Sequence, residues 1–267
     1  MSREDTLLLM EEVEQIKSPK EETQIDLLLN SGGGDIHAAY KLLTVLRANC
    51  KTLNVIVPYY AKSAATLMCL GADKIYLGQQ SELGPLDAQM EHPLVEGIRL
   101  SALDGVGPLS LLSDFCQQLA VDQLGVSIRQ TVGLGRKESI EMALKFASDM
   151  VNPIVGKLDP LVLNMCFRYL QVTERYGKEL LLKYPFKGIR HAEEKAEETI
   201  NELVWQYPEH GYAIQFDEAN RLGLPVEDCE TIAEWKKLWE YYRQKEKEGG
   251  DHIHLITEDI IGKNEIK

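Results

Sequence analysis

An α/β fold on a parallel sheet, with a helical C-terminal half, is what three observations in the sequence predict. The runs "QIDLLLN" (24–30) and "LNVIVP" (53–58) are continuously apolar, as strands covered on both faces are. Between them, Ile36 to Asn49 carries Ala39, Leu42, Leu43 and Leu46 at helical spacing. Residues 100–205 then read mostly as helices. The first two observations make a β-α-β unit, whose crossover is right-handed by the usual rule.

Taken in order, the chain opens on an acidic amphipathic segment in which Leu8, Val13 and Ile16 stand near helical spacing. It lacks the basic start and continuous apolar core of a signal peptide. After the first β-α-β unit, Ala64 to Gly71 predicts a second helix and "KIYLG" a third strand. The helical stretch breaks at "GLGRK" and "KYPFKG", and "RHAEEKAEETINEL" reads as a solvated helix face. Tyr212–Gln215 predicts a short strand, followed by a helix with Asp217 and Glu218 in its first turn that stops at Gly223. Beyond Glu227, "IAEWKKLWEYY" predicts a helix and "HIHLI" an exposed strand end. His252 and His254 with Asp251 and Glu258 are too sparse a set to predict a metal site.

Composition narrows the function. With 44% hydrophobic and 27% charged residues over 267 positions, the chain is long enough to bury a sizeable core. A net charge of −13 argues against nucleic acid as a partner. The longest apolar stretch, "AATLMCLGA", is far short of the roughly 20 residues a membrane-spanning helix needs, so no span is expected. Five scattered cysteines form neither a disulfide framework nor a CxxC pair, which points to the cytoplasm.

The chemistry concentrates where the first strand ends, in "NSGGGD". Three glycines at a strand-to-helix junction let the backbone approach a ligand closely. A dinucleotide site would need a third glycine where His37 stands, and an acidic residue after the next strand; none occurs between Asp35 and Asp73. A phosphate loop would need Gly-Lys-Ser/Thr, but Gly34 is followed by Asp35 and Ile36. The use left is an oxyanion hole, in which backbone amides hold the negative oxygen formed when an acyl carbon is attacked. Such a hole calls for a nucleophile at the next crossover. Ser63 stands there, before the small residues Ala64 and Ala65, either as nucleophile or as a helix cap.

Together "LLLNSGGGDIHAAY", "VPYYAKSAATLMCLGADKIYL" and "SELGPLDAQ" resemble the clan of Clp proteases and crotonases, and most closely the serine dehydrogenase proteinase family, related to signal peptide peptidase A. The segment "HGYAIQFDEANRLGLPVED" is similar to a C-terminal part of that family, so the resemblance runs over roughly residues 5 to 228. It implies a ClpP/crotonase-like β-α-β superhelix, with a hydrolase domain over 1–228 and a helix and tail over 229–267. It also implies Ser63 as nucleophile, an oxyanion hole from Gly33, Gly34 and Ala64, no cofactor or metal, a peptide or protein substrate, and assembly into a homo-oligomer. Two departures stand out. The chain shows neither the extra strand before the acidic helix nor the membrane-anchoring segment common in the family. Its turn is Ser-Gly-Gly-Gly where a proline more often precedes the last two glycines.

The base is less direct. Where the Clp peptidases carry their histidine, the resemblance puts Asp87, and no lysine of the kind used by signal peptide peptidases lies between Lys74 and Lys137. A carboxylate is a poor base for a hydroxyl unless burial raises its pKa or a histidine relays the proton. His210 and His92 are the candidates for that relay. His210 is favoured because it lies in the family-like segment; a local hydrogen-bonding role for it, and a turn role for Asp87, stay open. His37 reads as a solvent-facing helix residue, and Lys62 as a neighbour whose side chain diverges from Ser63. Against a serine peptidase stand two alternatives: an acyl-coenzyme A enzyme like the crotonases, and an inactive scaffold of the same fold.

Overall fold

The computed structural model describes residues 3–14, 19–87, 89–91, 95–120, 126, 128, 130, 133 and 135–256. It divides into two compact units, one made of 1–88 with 170–267, the other of 89–169.

The first unit starts with helix α1 (Arg3–Glu14), which turns Leu9 and Val13 inward, one turn apart. Ile16 lies outside the described residues. Strand β1 (Gln24–Asn30), helix α2 (Ile36–Asn49) and strand β2 (Thr52–Val57) follow the predicted bounds closely. Next come the short strand β3 (Tyr60–Ala61), helix α3 (Ala64–Cys69), β4 (Lys74–Leu77) and β5 (Glu82–Leu83). The second unit holds the antiparallel pair β6 (Gln89–Glu91) and β7 (Arg99–Ser101), then α4 (Ala102–Gln117) and α5 (Arg136–Val155). Helix α6 (Pro160–Lys183) leads on to α7 (Ala192–Asn201), α8 (Phe216–Arg221), β8 (Val226–Asp228), α9 (Trp235–Glu246) and β9 (His252–Leu255).

The main sheet has the order β8-β4-β2-β1-β9. Its first four strands are parallel, with Leu28 of β1 opposite Ile56 of β2 and Val57 of β2 opposite Leu77 of β4. Leu27, Leu28 and Leu29 are all fully buried, which is why β1 reads as an unbroken apolar run: both faces are covered. Every residue of α3 is fully buried as well, so the small side chains after Ser63 are core positions. Helix α2 shows its predicted stripe, with Ala39, Leu42, Leu43 and Leu46 at zero exposure.

Three expectations change. The strand expected over Tyr212–Gln215 shrinks to a single bridge, Ile214 to Leu83, because the neighbouring residues turn away into α8. Helix α7 is not solvated throughout: Ala196, Thr199 and Ile200 are buried. The tail strand is not an exposed end either. β9 runs antiparallel to β1, pairing His252 with Asn30 and Leu255 with Leu27, and His252 is 5% exposed.

Burying imidazoles in β9 has a pH consequence. The Nε2 atom of His254 is buried without a hydrogen-bond partner among the described residues. Burial, and then the neighbouring His252 and Lys245, hold its pKa below the ordinary 6.5, with Glu248 opposing. The unfolded chain therefore binds this proton more readily, so stability is complete above 6.5 and declines as the pH falls below it. The melting temperature should drop between about pH 7.5 and about pH 5.5, and His254→Phe, which keeps a ring against Tyr241, should flatten that drop. Thermal scans of both proteins across this range test it; identical slopes would refute it.

Candidate active site

Two strand-to-helix bends at the C-terminal ends of β1 and β2 build the site. In the first, the Asn30 carboxamide accepts from the Tyr60 amide, and Ser31 bonds through its backbone to both Tyr60 and Lys62. These bonds hold the two bends side by side. The Gly32 amide then donates to the Asp251 carboxylate at 3.1 Å, and the Gly33 amide to the Ser31 hydroxyl at 3.0 Å. Gly34 has φ of +142°, and its amide carries no hydrogen bond among the described residues. Asp35 caps α2, accepting from the amides of His37 and Ala38.

This arrangement separates the glycines. The Gly33 amide, expected in the oxyanion hole, donates to the Ser31 hydroxyl, whereas the Gly34 and Ala64 amides have no hydrogen bond among the described residues. What Gly33 contributes is closeness. A Cβ built on it would stand 2.7 Å from the Lys62 carbonyl, 3.0 Å from the Ser63 Cβ and 3.2 Å from the Ala64 nitrogen. Its φ of +102° is also one that L residues seldom adopt. Gly33→Ala should therefore cost about 2–4 kcal/mol, combining backbone strain with overpacking. Denaturant unfolding measures this, and a loss below about 0.5 kcal/mol, within surface-mutation range, would contradict it.

The second bend is strained in its turn. Ser63 sits at φ 53°, ψ −116°, a conformation costing on the order of 1–3 kcal/mol for a side-chain-bearing residue. Its hydroxyl makes no cap bond to α3, so the capping role is not what holds it there. The bend is kept in shape by Thr66, whose hydroxyl donates to the carbonyls of Ala61 and Gly84. A serine on a tight, strained strand-to-helix turn is the geometry of a nucleophile elbow.

Asp87 meets Ser63 through its main chain and His210 through its carboxylate. The Ser63 hydroxyl donates to the Asp87 main-chain carbonyl at 3.1 Å. The Asp87 carboxylate is buried, and its Oδ2 lies 3.4 Å from His210 Nδ1. The two groups face each other without a hydrogen bond, since Nδ1 has no bonded partner among the described residues. His37 is exposed and bonds Tyr176 through Nδ1. His92 lies outside the described residues.

Lys62 has a part that sequence reading missed. Its ammonium pairs with Glu82 at 2.7 Å and donates to the carbonyls of Leu83, Gly211 and Tyr212. The cation thus ties the residues just after His210 to β5, beside the Leu83–Ile214 bridge. Tyr207 packs against Tyr212, and burial together with the nearby Glu218 pushes its phenol pKa up, so it remains a protonated donor to that carboxylate.

The first unit is built on a mostly parallel sheet whose adjacent crossover bends carry a glycine turn and a serine, an arrangement consistent with a ClpP-like fold. The resemblance read from the motifs is borne out over residues 7–102, which match the family of ClpP-like SDH-type serine proteinases. Two uncharacterized proteins of Methanocaldococcus jannaschii are similar in sequence. MJ0137 is 26% identical over 236 residues, 88% of this chain and 64% of its own length. MJ1495 is 32% identical over 75 residues, 28% of this chain and 26% of its own length. The chain thus spans less than two thirds of either relative. No solved structure matches it.

Proposed function

We propose that this protein is a serine peptidase that cleaves peptide bonds through an acyl-enzyme on Ser63. The observation that supports the reading is how closely the glycine turn packs on the serine bend, where a Cβ on Gly33 would meet Ser63 and Ala64. The amides of Gly34 and Ala64 have no hydrogen bond among the described residues. The Ser63 hydroxyl leaves the Asp87 carbonyl and attacks the substrate carbonyl carbon. Its proton passes to Nε2 of His210, while the Asp87 carboxylate faces Nδ1 and steadies the imidazolium. The oxyanion accepts from the two amides. Collapse breaks the C–N bond, and the proton moves from His210 to the departing amine. Water then repeats the sequence on the ester and frees Ser63.

The hydrolase domain of this proposal is residues 1–228. Its setting is the cytoplasm, in keeping with five cysteines that form no disulfide among the described residues. No helix among the described residues is long and apolar enough to cross a membrane. Assembly into a homo-oligomer belongs to the same proposal, and the exposed Phe146, Met150 and Ile154 of α5 supply apolar surface for it.

A fluorophosphonate probe tests the chemistry. It should label the intact protein once, on the tryptic peptide containing Ser63. Absence of labelling with tight coenzyme A binding would favour the crotonase-like alternative; absence of both would favour an inactive scaffold.

A further inference from the structure

A cavity of about 400 Å³ opens in the first unit at the opposite edge of the sheet from Ser63. Its walls come from residues just before β1, β2 and β4, from the last turn of α2 and from the end of α6. The 14 residues of α2 put it about 20 Å from the glycine turn.

Its charge is opposite to that of the molecule. Five cationic side chains line it, Lys20, Arg47, Lys51, Lys183 and Lys187, against only Glu21 and Asp73, in a chain of net charge −13. Asp73 is already engaged by Arg47 at 2.6 Å and by the Leu53 amide. None of the four lysines has a carboxylate partner among the described residues, so their charges face the cavity uncompensated. Unpaired lysines gathered on one cavity repel each other unless an anion joins them.

Arg47 supplies the second observation. It is 5% exposed, with Nε bonded to the Gly71 carbonyl, Nη1 to Asp73, and its plane 4.1 Å from the Tyr184 ring centroid. These contacts fix the guanidinium, yet Nη2 is buried with no acceptor among the described residues. A buried donor without a partner costs on the order of 1–3 kcal/mol. Among the described carboxylates only Asp73 pairs with this guanidinium, and Arg47 adds to the positive field of the surrounding lysines.

We infer that this cavity binds a small molecule carrying one phosphate or two linked phosphates. Its volume is in the range of small-molecule sites. Lys20, Lys51, Lys183 and Lys187, all exposed, hold the phosphate charge, and Arg47 adds to the positive field around it. The site is independent of the peptidase reading, since none of its residues belongs to the Ser63 arrangement.

Titration calorimetry of the full chain with inorganic pyrophosphate, and separately with orthophosphate, at constant ionic strength tests it. Pyrophosphate, orthophosphate or both should bind at one site per chain and raise the melting temperature. Lys51→Glu combined with Lys187→Glu, both exposed side chains, should keep the fold by circular dichroism and weaken binding at least about tenfold, because two charges facing the anion are reversed. Lys41→Glu, an exposed change elsewhere on α2, should leave binding as it was. Failure of both anions to bind would overturn the inference. So would equal binding by the doubly reversed variant, or an equal loss in Lys41→Glu.

Discussion

Ser63→Ala is expected to lower peptide hydrolysis by on the order of 10⁴-fold or more, the usual cost of removing a serine nucleophile. The amides of Gly34 and Ala64 remain in that variant, so the residual rate should still exceed the uncatalysed one. Stability should fall only slightly. The hydroxyl gives up one bond to the Asp87 carbonyl, worth about 1 kcal/mol, and alanine at φ 53° keeps the backbone strain. Ser63→Gly makes the distinguishing comparison. It should be equally inactive yet about 1 kcal/mol more stable than Ser63→Ala, because glycine accepts positive φ without penalty. Probe labelling, kinetics and urea unfolding of the three proteins read all of this out. An active Ser63→Gly would remove serine from the mechanism altogether.

The second large effect concerns the carboxylate–imidazole pair. Asp87→Asn and His210→Ala should each reduce kcat by on the order of 10³–10⁴-fold. The double variant should be scarcely worse than the poorer single one, because the two groups act as one unit. Ser63 bonds the main-chain carbonyl of Asp87, so neither change disturbs the serine's resting position. Losses that simply multiply in the double variant would mean that the two side chains act apart. Full activity in Asp87→Asn would dismiss the carboxylate.

How much of this was legible in the sequence depends on how local each signal is. β1, α2, β2 and β4 could be read because burial on both faces of a strand, or along one stripe of a helix, leaves an uninterrupted pattern. β3 and β5, two residues each, have no pattern to read; they exist because Ser31, Tyr60 and Glu82 are brought alongside one another. β9 was legible as a weak alternation but not as a sheet member, since its partner β1 lies more than 200 residues upstream. In the site, the glycines and Ser63 could be paired by their equivalent positions after successive strands. The diversion of the Gly33 amide could not, because it depends on which way the Ser31 hydroxyl turns. Nor could the work of Lys62, whose neighbour in sequence is Ser63 but whose contacts are the carbonyls after His210.

The bond between Gly32 and Asp251 spans 219 positions, and it orders events in time. A ribosome finishes both bends of the cradle early, while the clasp that steadies the first of them is still unmade. Until residues 251–255 emerge, β1 has a bare flank and the Gly32 amide hangs loose. A nascent polypeptide of this protein therefore carries its glycine turn without the clasp that holds it, and the candidate site is completed only when the last strand arrives.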